Sequence, residues 1–254
     1  MENANITEAQ MHLQMMNMRF LEEIREEERS FIDCPHCNAS KAVLDWESLN
    51  KHETVQSIKE RSNIHWESDW LEYKYSANYK CISCDGITIS SGDVKLLELG
   101  GIDIETGEED YEDVYFYHPR YFTPALNLMQ IPRQCPREVK ELLFRSFQIA
   151  FCDHSAAANR LRVALEFFTR LHLEDSDFKL TLHKRLAKLE ERLKESASLS
   201  TAIRIIGNQG SHEGDDVPEY LLAFAYKAFE QMLIDLYGDR KATTYELAKL
   251  FERK

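Results

Sequence analysis

No run in these 254 residues approaches the roughly 18 consecutive apolar residues a membrane-spanning helix needs, so none is expected. The N-terminus, MENANITEAQ, has neither a basic start nor a short apolar run, so no secretory leader is read from it and a soluble, cytoplasmic protein is expected. Internal repeats and low-complexity tracts are missing too. Basic residues are in short supply, 31 Lys plus Arg against 44 Asp plus Glu for a formal net charge of −13, which for the chain as a whole argues against a nucleic-acid binder. The shortage is uneven. Residues 1–130 carry 11 Lys plus Arg against 25 Asp plus Glu, whereas residues 131–254 carry 20 against 19. The C-terminal half is therefore free to present a basic face, although total charge does not say where helical lysines point.

Against this background, four of the six cysteines stand in matched pairs, Cys34-Pro-His-Cys37 and Cys81-Ile-Ser-Cys84. Two C-x-x-C turns can close a tetrahedron of thiolates around one structural Zn2+ ion, the pattern of a zinc ribbon. The 43 intervening residues let the second knuckle come from a distant strand, so the metal would pin two ends of a larger domain. Two disulfides or a redox dithiol are the rival readings, but no leader precedes the pairs and no βαβ pattern surrounds them. His36 sits inside the first knuckle, where a fifth ligand would be strained, and is read as solvent-facing. Cys135 and Cys152 lack paired spacing and are read as reduced thiols.

Thr7-Glu8-Ala9-Gln10 reads as a capping box that opens an amphipathic helix to about Arg29, with Met11, Met15, Met18, Leu21 and Ile24 along one side. A helix docked on the protein's own core is preferred to a methionine-rich partner-binding face. Leu71, Tyr73 and Tyr75 alternate toward Tyr79 and Cys81 as a strand does, and Ile87 and Ile89 begin its return. Trp46, Trp66, Trp70 and the tyrosines around them could stack bases, but without interleaved basic residues they are read as core or dimer interface. Gly100–Asp113 is acidic and turn-rich, a loop or hairpin before a strand at Val114–Tyr117. Pro119, Pro124 and Pro132, ending at Pro136, read as a connector. Past it the period turns helical, which sets a boundary near residue 131. Helices are expected from Pro136 to Phe151, from Asp153 or Ser155 to Leu171, over Phe178–Lys194, briefly over Ser200–Ile206, from Pro218 to Tyr237 and over Thr243–Glu252.

The densest polar constellation is Ala202-Ile203-Arg204-Ile205-Ile206-Gly207-Asn208-Gln209-Gly210-Ser211-His212. Unbroken helical geometry would set Arg204, Asn208 and His212 on one face at steps of four. The two glycines are instead read as interrupting the helix and bending Asn208 and His212 toward the bundle. An arginine to hold phosphate charge and a histidine to move a proton are what metal-free phosphodiester cleavage needs. The plainer reading, favoured on the residues alone, pairs Arg204 with a buried acid such as Glu166 and has Asn208 and His212 tie off backbone groups of the turn.

These pieces resemble the domain of unknown function 4145 family. The resemblance is carried by the two cysteine pairs, the proline-led helix at Pro132–Phe147, the stretch Asn159-Arg160-Leu161-Arg162-Val163-Ala164-Leu165-Glu166, and the turn Ile203-Arg204-x-x-Gly207-Asn208-x-x-x-His212. That family is similar to the HEPN superfamily of helical bundles in prokaryotic defence, toxin and restriction systems, many of them dimeric metal-independent ribonucleases. The resemblance implies an all-α C-terminal domain, a homodimer, and an RNA-cutting or RNA-binding role. In the ribonuclease motif an arginine precedes the polar residue; here Asn208 and His212 match, Gly207 stands in the arginine's place, and Arg204 would have to reach over from the previous turn. Carried over in that way, His212 activates or positions a ribose 2′-hydroxyl, Arg204 steadies the phosphate and Asn208 orients the histidine, with a second subunit completing the site. Otherwise the turn is scaffold, and Arg160, Arg162 and Glu166 are its packing and ion-pair partners.

The expected architecture is α+β: an N-terminal helix plus an acidic, β-rich zinc-ribbon domain over residues 1–130, then an all-α HEPN-like bundle over 131–254. One functional reading is a defence-associated ribonuclease whose acidic half senses, selects or self-inhibits. The other is a non-catalytic adaptor or regulatory subunit that binds a partner protein or nucleic acid through the ribbon and dimerises through the bundle. DNA mimicry by the acidic half would need a continuous stripe of acids, and the acids are too diffuse for it. RNA or a defence-system protein is the expected partner, with no membrane partner.

Overall fold

The computed structural model describes residues 23–102, 109–211 and 216–238. They fall into two compact units, one ending at Asn127 and one beginning at Leu128. Most of the helix expected over 7–29, with its capping box, lies outside the described residues, as does the helix expected over 243–252. The described end of the first is not helical. Ile24–Arg25 is a strand (β1), and the chain turns at Glu26–Glu27. Ile24 is buried opposite Tyr117, so tertiary burial takes a residue that fits helical periodicity.

The first unit is an antiparallel sheet in the order β1-β6-β5-β4-β3-β2, with β2 at Phe31–Asp33, β3 at Lys41–Glu53, β4 at Glu72–Cys81, β5 at Ile87–Ile102 and β6 at Glu109–Thr123. A short helix, α1 (Val55–Glu60), follows β3. The alternation read at Tyr73 to Cys81 is β4, and its buried members Tyr75, Ala77, Tyr79 and Cys81 form one core face with Ala42, Leu44, Val94 and Tyr117. Rings meet edge to face there, Tyr75 with Tyr117 at 5.1 Å and Trp46 with Tyr117 at 5.4 Å. The buried hydroxyls are satisfied, Tyr75 by Ser90 Oγ at 2.9 Å and Tyr79 by Ser30 Oγ at 3.1 Å. Tyr75, Tyr79 and Tyr117 are therefore core, whereas Trp46 and Trp66 are half-buried and Trp70 is exposed.

Pairing of β4 with β5 ends at Glu72 opposite Lys95; past that point β5 and β6 continue together as far as Ile102 opposite Glu109. The acidic segment is thus a hairpin arm, and its tip, 103–108, lies outside the described residues. Pro119, assigned to the connector by its residue type, is inside β6 opposite Gly92. Among the described residues β1 pairs with β6 only at Phe116 and Tyr117, and an open edge tolerates proline.

The second unit is helical: α2 (Arg137–Phe147), α3 (His154–Arg170), α4 (Leu182–Lys188), α5 (Glu190–Leu193), α6 (Ser196–Gln209) and α7 (Glu219–Tyr237). Asp153 caps α3 by accepting the Ala156 amide at 2.7 Å, one of the two caps expected. The single helix read over Phe178–Lys194 is instead a 3-10 turn (Asp175–Lys179), α4 and α5, because Thr181 caps a fresh start and Leu189 leaves helical geometry. Leu143, Phe147, Leu161, Leu165, Phe168, Ile203, Phe229 and Met232 fill the core.

One charge is buried among them. Arg185 is 5% exposed, donates from Nη1 to Thr169 Oγ1 at 3.2 Å and to Glu166 O at 3.5 Å, and leaves Nε without a partner. Both acceptors lie at the carbonyl end of α3, and a helix dipole offsets part of a desolvation cost that a carboxylate would offset better. Because Thr169 Oγ1 keeps its own bond to Glu166 O at 2.7 Å, replacing the arginine orphans nothing. Arg185→Met is expected to raise stability by about 1 kcal/mol, read as a higher urea midpoint.

Candidate functional site

Each cysteine pair sits where two strands turn, Cys34 and Cys37 between β2 and β3, Cys81 and Cys84 between β4 and β5. The knuckles are built alike. The first cysteine's amide bonds across the turn, Cys34 N to Ser40 O and Cys81 N to Gly86 O, both at 2.9 Å. The residue after the second cysteine takes a left-handed conformation, Asn38 at φ 53° and Asp85 at φ 56°, which Asn and Asp tolerate best among residues with a Cβ.

The four Sγ atoms all lie within 4.8 Å of one another, and two cross-pairs, Cys34 with Cys84 and Cys37 with Cys81, are at 3.8 Å. That spacing is far longer than a disulfide's roughly 2.05 Å, and it matches the edge of about 3.8 Å that a tetrahedron of Zn–S bonds near 2.3 Å would have. All six cysteines are free. The amides of Cys84 and Ser83 point at Cys81 Sγ, both at 3.4 Å, and hold its thiol down at about 6. At Cys84 the Gly86 amide is the largest single influence and works in the same direction, but the Cys81 sulfur, burial and the Cys34 and Cys37 sulfurs together outweigh it and the thiol is pushed up to about 12. Gathering four thiolates without a cation is unfavourable, and a divalent ion answers that demand. The four cysteines can hold a metal ion.

His36 is exposed as a residue, yet Nε2 donates to Ile87 O at 2.9 Å and ties the first knuckle to the strand leaving the second. Its ring covers Gly86 so closely that a Cβ there would stand 2.7 Å from Cδ2 and 3.2 Å from Cys84 Sγ. Gly86→Ala is expected to weaken metal binding about tenfold, measured by competition with a chromophoric chelator, because a distorted supporting contact misplaces a ligand.

In the helical unit the polar turn departs from expectation. Gly207 does not interrupt the helix: α6 runs through it to Gln209, and Gly210 is its cap. A Cβ on Gly207 would fall 2.5 Å from Arg162 Cβ and 2.9 Å from Ala158 O, so this glycine is where α6 touches α3. Arg204 and Asn208 do share a face of α6 at a step of four, whereas His212 lies outside the described residues. Glu166 pairs with Arg162 on its own helix rather than with Arg204, and Asn159 Oδ1 accepts from Arg162 Nη2 at 3.1 Å. Arg204 is half-buried, and its Nε is enclosed without a hydrogen-bond partner.

The molecule is thus a four-cysteine metal-site sheet module joined to a helical unit. Residues 144–253 match the model of the family described as Domain of unknown function (DUF4145), which bears out the resemblance carried by the Asn159–Glu166 stretch and the Ile203–His212 turn. The cysteine pairs fall outside that match, within residues 22–122, which match a second model, Domain of unknown function (DUF8608). No curated protein and no solved structure matches the chain. Among the described residues no helix is long and apolar enough to cross a membrane.

Proposed function

We propose that this protein is a non-catalytic adaptor or regulatory subunit, cytoplasmic, with a structural Zn2+ on Cys34, Cys37, Cys81 and Cys84, that binds a partner protein or nucleic acid. The observation that carries this reading is Gly207. The ribonuclease motif needs an arginine at that position, and here the position is pressed against Arg162 and Ala158 with no room for a side chain. The helix pair keeps its packing while the place of the phosphate-holding group is filled by the Arg162 side-chain carbons and the Ala158 carbonyl. Elemental analysis should find one zinc per chain.

A ribonuclease is the second reading, favoured by the unpartnered Nε of Arg204 and by Asn208 one turn along the same face. The test incubates zinc-loaded wild type and His212→Ala with total cellular RNA in magnesium-free buffer. Both proteins are expected to leave the RNA equally intact. Cleavage by wild type alone that leaves 2′,3′-cyclic phosphate ends would replace the adaptor reading with a metal-independent enzyme using Arg204, Asn208 and His212.

A further inference from the structure

We propose that the β5–β6 arm docks a basic, extended segment of a partner protein, with a lysine or arginine of that segment seated between Glu98 and Asp113. The segment belongs to the partner that the adaptor reading requires, and the proposal rests on that reading. Glu98 and Asp113 stand directly opposed in the β5–β6 ladder, both are exposed, and no salt bridge among the described residues involves either. Like charges directly across a strand pair are destabilising, and a cation laid between them removes that cost. The next pair on the same face is Gly100 opposite Tyr111. Tyr111 is 57% exposed, and a Cβ on Gly100 would stand 3.0 Å from its ring, so the ring lies across Gly100 beside the two acids. Two carboxylates next to an aromatic ring form a seat for a guanidinium or an ammonium group.

The strand edge makes the segment an extended one. β1 covers β6 only at Phe116 and Tyr117, the Glu26 amide bonds to Tyr115 O at 2.9 Å, and the chain then turns away. From Val114 outward the outer edge of β6 has no ladder partner among the described residues. Residues 96–115 hold none of the lysines or prolines that usually guard such an edge; they hold eight acids and no base. Those acids turn away a second copy, which carries the same eight, and nucleic acid, whose backbone is phosphate. A basic strand is what they admit. Arg25 sets the precedent, since from β1 on this same edge its Nη2 reaches Glu112 at 3.4 Å. Leu97 and Leu99, 41% and 37% exposed, lie on the arm's opposite face, where the alternate side chains of an added strand would fall.

The test titrates labelled peptides into the zinc-loaded full chain at low salt, reading anisotropy and amide deuterium exchange together. An octapeptide alternating lysine and valine should bind and slow exchange along 109–114. It should bind about tenfold more tightly than an octapeptide alternating lysine and proline, which has the same charge but lacks half the ladder donors. Glu98→Gln with Asp113→Asn should act in two opposite directions. It should weaken the lysine–valine peptide about tenfold, because the charged seat is gone, and slow exchange in the free arm, because the repulsion is gone too. Removing two charges from the exposed Glu174 and Asp175 of the helical unit, by Glu174→Gln with Asp175→Asn, should change neither. Equal binding of the two peptides reduces the contact to charge alone and overturns the proposal. So does a neutralised pair that keeps its affinity, no binding at all, or an eight-nucleotide RNA held more tightly than the lysine–valine peptide. None of these outcomes decides the adaptor reading, which falls to RNA cleavage by wild type alone.

Discussion

Stripping the metal from the four cysteines should unfold the sheet unit and leave the helical unit's helices in place. The cluster joins the β2–β3 turn to the β4–β5 turn, and β2 has three residues, too few to hold an edge by ladder bonds alone. Cys34 and Cys81 are 0% and 1% exposed, so without an ion two buried sulfurs face two others with nothing to bind. Structural zinc contributes about 10–16 kcal/mol of apparent binding energy in small domains, and whole domains are stable by only about 5–15 kcal/mol, so a zinc ion held here would outweigh every other single term in this unit. Chelation, or Cys81→Ser, should abolish the near-ultraviolet dichroism of the packed tyrosines while most helical far-ultraviolet signal persists. An unchanged melting profile after complete chelation would show that the sheet stands without its metal.

The next largest effect is expected at Gly207, with a sign opposite to the usual one. Glycine to alanine inside a helix ordinarily stabilises by about 0.5–1 kcal/mol, because alanine has less backbone freedom to lose. Here the added methyl meets Arg162 Cβ at 2.5 Å and Ala158 O at 2.9 Å, and the second is backbone that a rotamer change cannot move. Gly207→Ala should therefore cost about 2–3 kcal/mol as α3 and α6 are forced apart, read from urea unfolding of the helical unit. Gly207→Arg should cost more and should not create nuclease activity. A stabilised alanine protein would mean that the helices have slack, and the steric argument against catalysis would go with it.

These two sites differ in how much of them can be read from the chain. The cysteine pairs are local motifs, and a tetrahedral ion needs nothing from the sequence except their spacing. The alternation through Tyr75, Tyr79 and Cys81 is legible for a similar reason, since a half-buried strand prints its period on the residues. Gly207 is not, because a glycine that ends a helix and one that lets another helix approach look identical until the neighbour is known. Glu166 does carry a signal: Arg162 stands four residues before it on the same helix, the simplest partner geometry offers, and it is this arginine rather than distant Arg204 that takes the acid. Ile24 misleads in the other direction, fitting a helical stripe while its burial comes from β6.

The hairpin arm gives the first unit a gradient of protection. Where β4 still flanks it, β5 has hydrogen-bonded neighbours on both sides; past Leu96 opposite Tyr115, which still accepts the Glu26 amide, the two strands make ladder bonds only to each other among the described residues. Leu96 and Val114 at the root of the arm are buried, while Leu97 and Leu99 are 41% and 37% exposed. A lone two-stranded ribbon is marginal in water, so backbone amides from Leu97 outward should trade deuterium through local opening, while those of the same strands between Ile89 and Val94 wait for the whole sheet to come apart. One pair of strands would thereby report two different events, fraying at its far end and global unfolding at its near end.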